Sequence, residues 1–156
     1  MDRDRLSREE IIALYKPEVD KLVPYLKWLK QKTGQQVAQS FKGQEVERNS
    51  ISFPVYDSTL LQLIRVAEST RMVDKNYVYL YSRYQIRNTD DELRFIKRAS
   101  LPEINVLGAI LARYVLRGRT KAGLWQAGVQ NGVLYAVIQK MNDLIVLYDR
   151  EEGKKK

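Results

Sequence analysis

The most informative stretch of the chain is Ser100–Gly118, which reads SLPEINVLGAILARYVLRG. Its apolar residues recur at the three- and four-residue spacing of a helix that buries one side. They are Ile104, Leu107, Leu111, Tyr114 and Val115. Ser100 and Glu103 form the pattern of a capping box at the helix start, and Gly118 is a typical helix stop. The stretch therefore predicts a helix that begins at Ser100 and ends at Gly118.

Helix signals of the same kind precede this stretch. Ser7 with Glu10 and Thr89 with Glu92 repeat the capping-box pattern. Pro17 suits the first turn of a second helix. Since Pro24 interrupts the apolar pattern that follows, it predicts a kink or a later helix start.

Two further helices are predicted between residues 57 and 84. Asp57 or Ser58 caps the first of them, and its inner stripe is Leu60, Leu61, Ile64 and Ala67. Asp74 caps the second, and its stripe is Tyr77, Leu80, Tyr81 and Tyr84.

After the central stretch, the pattern predicts two short helices joined by a tight turn. They run from Lys121 to Val129 and from Val133 to Met141, and Asn131-Gly132 between them readily adopts left-handed backbone conformations. Leu144 to Tyr148 either extends the second helix or forms a short terminal strand. We expect Trp125 to be buried between the last three helices, because it lies in an apolar segment.

One segment has the two-residue period of a strand. Ile51, Phe53 and Val55 alternate with other residues, and Val37 to Phe41 is a candidate partner strand. The predicted fold class is therefore mainly α, a compact multi-helix domain with room for one small β-hairpin around residues 37–55. No linker divides the chain, so we predict a single helical domain over residues 1–153 and a basic tail at residues 154–156.

Composition excludes several kinds of site. The 156 residues include 27 Lys and Arg against 19 Asp and Glu, a net charge of +8, and no His or Cys. Without them there is no Ser-His-Asp triad, thiolate nucleophile, structural zinc site or disulfide. The acidic clusters lie where helix starts place them, because early acids stabilise the helix dipole. We therefore predict no catalytic residue, no metal site, no cofactor and no enzymatic activity.

Location follows from charge and hydropathy along the chain. The first residues are charged and lead into no long apolar run, so no signal peptide is predicted. The longest apolar runs fall far short of the roughly 20 residues that a membrane helix needs. We expect a soluble, cytoplasmic protein with no membrane partner.

Positive charge is concentrated in the last third of the chain. Between Ile104 and Asn142 there is no acidic residue, and the basic residues are Arg113, Arg117, Arg119, Lys121 and Lys140. Such a bias is typical either of a solvated face or of a phosphate-binding patch. Arg113 and Arg117 are four residues apart and share a helix face, and no acid of this segment is available to pair with them.

The predicted C-terminal helix pair invites comparison with a DNA-binding helix-turn-helix, in which the second helix enters the major groove. The residues that fit this template are Gly128, Gly132, Ile138 and Met141. Against it, the second helix is mostly apolar, and such a helix is more often buried than presented to DNA. The candidate nucleic-acid-binding residues are Arg113, Arg117, Arg119, Lys121, Tyr135, Gln139 and Lys140.

The chain is also rich in tyrosine, with ten in all, and four of them lie between residues 77 and 84. Beside Arg83 and Arg87 these rings are candidates for stacking single-stranded bases. Alternatively, they form a helix stripe with hydroxyls at its rim. We favour the stripe, since no nucleic-acid signature frames the cluster.

A glycine-containing pattern in the last third of the chain consists of Arg113-Tyr114-Val115-Leu116-Arg117-Gly118-Arg119, then Gly123-Leu124-Trp125, then Gly132-Val133-Leu134 and Ile138. It resembles the C-terminal signature of a family of short bacterial proteins of unknown function. The resemblance implies a bacterial, cytoplasmic, mainly helical protein and implies no activity.

These observations predict a small, non-enzymatic interaction or regulatory module. Its expected partner is another protein or a second copy of the same chain. The alternative is a nucleic-acid-binding protein that uses the basic C-terminal segment. Salt dependence distinguishes the two, because phosphate contacts release counterions and weaken steeply as salt rises.

Overall fold

The computed structural model describes residues 7–34, 38–39, 55–121 and 123–155. Most of them are helical: α1 (Arg8–Leu22), α2 (Leu26–Lys32), α3 (Ser58–Glu68), α4 (Tyr77–Arg83), α5 (Thr89–Arg98), α6 (Ile104–Arg117), α7 (Leu124–Gln130) and α8 (Val133–Lys155). The predicted mainly α fold class is confirmed. None of the described helices is both long and apolar enough to cross a membrane.

The helix predicted from Ser100 to Gly118 lies at the centre of the structure. The Glu103 carboxylate accepts a hydrogen bond from the Ser100 backbone N–H at 3.0 Å, and a 3-10 turn then leads into α6. The predicted stripe is buried, and so is the opposite side, which contains Val106, Ala109, Ile110 and Ala112. Because apolar residues cover most of the circumference of α6, it packs against several neighbours at once: α3, α4, α7 and α8.

The second core element is α8, which is longer than the sequence predicts. It continues as one helix of 23 residues, so Leu144 to Tyr148 extends it and forms no strand. Its backbone stays helical through Lys155, beyond the predicted start of the basic tail. The tight turn before it is confirmed, since Gly132 has a φ of +81°. One side of α8 is fully buried against α1, α2, α5, α6 and α7.

The N-terminal helix begins as predicted but does not stop at Pro17. The Ser7 hydroxyl accepts a hydrogen bond from the Glu10 N–H at 3.2 Å, and the Glu10 carboxylate accepts one from the Ser7 N–H at 2.9 Å. Pro17 lies inside α1. The helix continues past it, and the buried residues on both sides of it pack into the same core: Ile11, Ile12, Val19 and Leu22. The break falls at Pro24, in a 3-10 turn between α1 and α2.

Helix α3 is capped as predicted, with the Asp57 carboxylate accepting a hydrogen bond from the Thr59 N–H at 2.7 Å. Its inner stripe contains Leu63 in place of the predicted Leu61. Leu63 lies on the same helix face as Leu60, whereas Leu61 is turned about 100° away and is 38% exposed.

Two short strands occupy the position of the predicted hairpin. They are β1 (Ala38–Gln39) and β2 (Val55–Tyr56), and they pair antiparallel with Ala38 opposite Tyr56. The other predicted strand residues lie outside the described residues: Val37, Phe41, Ile51 and Phe53.

Trp125 is half-buried, so the expected complete burial is wrong. Its ring covers Gly118 at the end of α6, where any side chain at position 118 would overlap the indole. The indole N–H donates a hydrogen bond to the Val115 carbonyl oxygen at 3.2 Å. Because the ring packs on the last turn of α6, it closes the end of the core instead of filling its middle.

Close packing of α6, α7 and α8 predicts the effect of Gly128→Ala. A Cβ at this position would lie 2.8 Å from Tyr114 Cδ1 and 3.0 Å from Leu134 Cγ. Glycine-to-alanine changes inside open helices stabilise by about 1 kcal/mol. Here overpacking dominates, and we expect a loss of about 1–3 kcal/mol in the free energy of unfolding, measured by urea denaturation. A gain in stability would contradict the tight three-helix contact.

Candidate interaction groove and its polar support

The structure separates the predicted basic patch into paired and exposed cations. Arg113 Nη1 lies 3.5 Å from Glu92 Oε2, and Arg119 Nη2 lies 2.6 Å from Glu68 Oε2. Arg117 and Lys121 are exposed and form no ion pair with any described residue. The two acids that pair with these arginines belong to α5 and α3. The sequence of the C-terminal segment, which contains no acid, could not show these pairs.

The three candidate residues on α8 are also engaged within the fold. Tyr135 is half-buried against the core. Gln139 Nε2 donates a hydrogen bond to Asp143 Oδ1 at 2.7 Å, and Lys140 Nζ donates one to the Lys97 carbonyl oxygen at 3.1 Å. The binding of nucleic acid by these residues stays a prediction.

Glu92 has a different role from the one that its spacing predicts. Asn88, not Thr89, caps α5, and its side chain accepts a hydrogen bond from the Asp91 N–H at 2.9 Å. The Asp91 carboxylate in turn accepts a hydrogen bond from the Arg87 N–H at 2.9 Å. The Thr89–Glu92 capping box is therefore wrong, and Glu92 turns into the interior, where it is 2% exposed.

Three donors surround the buried Glu92 carboxylate. The Tyr81 hydroxyl donates to Oε2 at 2.5 Å, the Tyr114 hydroxyl donates to Oε1 at 2.7 Å, and Arg113 supplies the positive charge. The Arg113 guanidinium also lies over the rings of Tyr81 and Tyr114, at 5.8 and 5.2 Å from their centroids. Asn131 Nδ2 donates to the Tyr114 hydroxyl at 3.1 Å. The Glu92 network thus joins α4, α5, α6 and the turn before α8.

The tyrosine hydroxyls of this network are held in their donor form. Burial, together with the hydrogen bond to Glu92 and its charge, raises the pKa of Tyr114 to about 12. Burial and the Glu92 charge raise the pKa of Tyr81 further. Both hydroxyls therefore remain protonated at neutral pH and keep donating to the carboxylate.

A groove of about 350 Å³ lies beside the Glu92 network, between α1, the α3–α4 connection, α4 and α6. Its floor is formed by Met72, Gly108 and Ala109. Because residue 108 is glycine, Met72 can pack closely against α6: a Cβ at position 108 would lie 3.2 Å from Met72 Cβ. Its walls and rim include Tyr15, Arg71, Asp74, Tyr77, Tyr79 and Leu80. A smaller recess of about 110 Å³ adjoins it and is lined by Leu14, Tyr15, Glu18, Arg71 and Met72.

The groove combines apolar surface with a few polar groups. Burial, followed by the nearby Asp74 charge, raises the pKa of the Tyr15 hydroxyl, so this hydroxyl stays protonated. One Asp74 carboxylate oxygen accepts a hydrogen bond from the Asn76 N–H at 2.6 Å, which orders the turn before α4. Sites that bind other molecules typically pair such a concave apolar surface with a small number of placed polar groups.

Two apolar residues of α4 project next to this groove. Tyr79 is 76% exposed and Val78 is 59% exposed. The sequence predicted an inward stripe of Tyr77, Tyr81 and Tyr84, and these three are half-buried. Tyr79 is two residues after Tyr77, so it lies on the opposite side of the helix from that stripe. This spacing was the feature of the sequence that could have predicted an exposed aromatic side chain.

The described residues contain no candidate metal site. Across the part of the chain that the structure describes, no three acidic side chains lie together in a way that could hold a metal ion.

The chain matches no protein-family model, no curated protein and no solved structure. The resemblance of the C-terminal glycine pattern to a bacterial family stays a prediction.

The Glu92 network predicts a large difference between two acid-to-alanine substitutions. Glu92→Ala leaves the Arg113 guanidinium and two hydroxyls without their shared acceptor, and breaking a buried pair in this way costs about 3–5 kcal/mol. Glu68→Ala removes a pair whose Arg119 side chain is 51% exposed, so we expect little change. Urea denaturation of both variants measures the difference, and equal losses of stability would contradict the structural role of Glu92.

Proposed function

We propose that the protein is a non-enzymatic interaction module that binds another protein through the groove and the adjacent residues of α4. The exposed ring of Tyr79 carries this proposal. A large aromatic side chain with three quarters of its surface in water gains most from burial when a partner covers it. Tyrosine and arginine are enriched at the energetic centres of protein interfaces, and Arg71 lies on the rim of the same groove.

The chemistry of this surface fits a second copy of the chain. It offers both a projection, Tyr79 with Val78, and a recess next to it, which is what a two-fold interface between identical patches requires. The charged residues that line the groove and its adjoining recess are Arg71, Asp74 and Glu18. A two-fold axis can therefore place Arg71 of one copy opposite an acid of the other.

Self-association through this surface is testable by sedimentation equilibrium. We expect the dimer fraction of the unmodified protein to rise with concentration. Replacing both Val78 and Tyr79 with Ser should raise the dimer dissociation constant at least about tenfold, as the loss of a central aromatic contact typically does. Both side chains are exposed, so the melting temperature should not change at protein concentrations where the unmodified protein is monomeric.

Leu147→Ser provides the matched control. Leu147 lies on α8 and is 54% exposed, which is close to the exposure of Val78. We expect this variant to associate like the unmodified protein. A protein that stays monomeric at all concentrations, or a control that weakens association as much as the α4 variant, would contradict the proposal.

A second candidate function is weak binding of nucleic acid at the end of α6. The specific observation in its favour is that Arg117 and Lys121 are exposed and form no ion pair with the described residues. Two such cations can contact phosphates without giving up internal partners. From the resemblance of residues 113–138, we also propose a bacterial cytoplasmic setting for either function.

Heparin and duplex DNA retention test this second candidate. Changing Arg117 and Lys121 to Gln should lower the salt concentration of elution and leave the melting temperature unchanged, because fewer counterions are released on binding. The matched control changes Lys75 and Arg83 to Gln, which removes the same charge from exposed positions near α4. Equal effects of the two double variants would mean that only net charge matters, and would remove the assigned site.

A further inference from the structure

The short helix α4 is held in place by side-chain contacts. None of its seven residues is fully buried. The Tyr81 hydroxyl donates to the buried Glu92 carboxylate of α5 at 2.5 Å, and Arg113 of α6 lies over the Tyr81 ring. The ring of Tyr84 meets Phe95 of α5 edge-on, with centroids 5.4 Å apart. Helix α4 thus packs closely along α6, and side chains near its C-terminal end add its contacts with α5.

Helix α4 ends in a tight left-handed turn. Gln85 has a φ of +56°, in the left-handed region that favours glycine. Its neighbour Ile86 is buried and donates its N–H to the Tyr81 carbonyl oxygen at 2.9 Å. The Gln85 N–H also donates to the Ser82 carbonyl oxygen at 3.2 Å, and the two bonds together form a Schellman helix end. Tyr81 is therefore anchored through both its backbone and its hydroxyl.

The same helix forms one wall of the groove. Tyr77 and Leu80 line it, and Tyr77 meets the ring of Tyr81 edge-on, with centroids 6.3 Å apart and planes at 83°. A continuous line of contacts thus runs from Glu92 through Tyr81 and Tyr77 to the groove. The floor on the opposite side belongs to α6, at Gly108 and Ala109.

We propose that Glu92 and Arg113 are positioning residues for the groove. They act through Tyr81 to hold α4 against α6, and release of the Tyr81 hydroxyl lets α4 move away from the floor at Ala109. The shape of the groove is then set by a polar contact behind its wall, out of reach of any bound partner. This inference rests on the proposed function in one respect, that the groove is a binding site. The motion of α4 itself is a property of the single chain and needs no partner.

The absence of cysteine from the sequence permits a direct test with a single introduced thiol. Ala109→Cys places that thiol on the groove floor, where the native residue is 4% exposed. Its rate of reaction with a disulfide reagent at fixed pH and low protein concentration reports how often the floor opens. Tyr81→Phe removes only the hydroxyl, and we expect it to raise this rate about tenfold, the effect of losing one hydrogen bond to a charged group.

Two controls distinguish local opening from general loss of stability. Tyr84→Phe removes the hydroxyl of another half-buried tyrosine, one at the end of α4 that forms no side-chain hydrogen bond with any described residue, and should leave the rate unchanged. Val137→Cys puts the thiol on α8 at a fully buried position, on a helix that does not line the groove, so it reports whole-chain unfolding. We expect Tyr81→Phe to accelerate labelling at position 109 far more than labelling at position 137.

Two results would overturn the inference. One is equal acceleration at both thiols, which would mean that Tyr81 stabilises the whole fold only. The other is no acceleration at position 109, which would mean that α4 does not move when the contact is lost. Because labelling is measured on the dilute single chain, its outcome does not depend on self-association. Sedimentation equilibrium alone tests that separate proposal.

Discussion

The structure depends on the burial of one carboxylate. An ionised group such as Glu92 costs several kcal/mol to move out of water unless charge and hydrogen bonds compensate it. Its compensating donors come from α4 and α6, through Tyr81, Tyr114 and Arg113. Helices α4, α5 and α6 must therefore meet at a single point with a fixed register. An apolar contact at the same place would tolerate sliding, whereas two hydroxyls and a guanidinium around one carboxylate do not.

This constraint explains how a seven-residue helix with no fully buried residue keeps a defined position. Helices of this length are unstable alone and rely on tertiary contacts. Packing along α6 and the Glu92 network supply those contacts on one side of α4, and its other side leaves Val78 and Tyr79 exposed. The groove is a consequence of the same geometry, because α4 forms one wall and its floor includes Gly108 and Ala109 of α6.

Local patterns predicted the parts of the fold that local forces decide. The stripe and stop of α6, the Ser7 capping box and the left-handed turn at Gly132 all depend on residues within a few positions of each other. Glu92 shows where such reasoning fails. It has the spacing of a capping residue after Thr89, but Asn88 takes the cap and shifts the start of the helix by one position. Glu92 is not used by the cap, and its carboxylate is held inside the fold by donors 11 to 22 residues away in sequence.

Ion pairs between residues distant in sequence are also hidden from local patterns, and they affect which partner the surface can bind. The acids that pair with Arg113 and Arg119 lie 21 and 51 residues away, so the acid-free C-terminal segment exaggerated the positive surface. With a net charge of +8, two copies of the chain repel each other over most orientations. They can approach most closely where local charge cancels. Within the groove and its recess, Arg71 is accompanied by Asp74 and Glu18, so the lining beside the exposed Tyr79 ring carries both signs of charge.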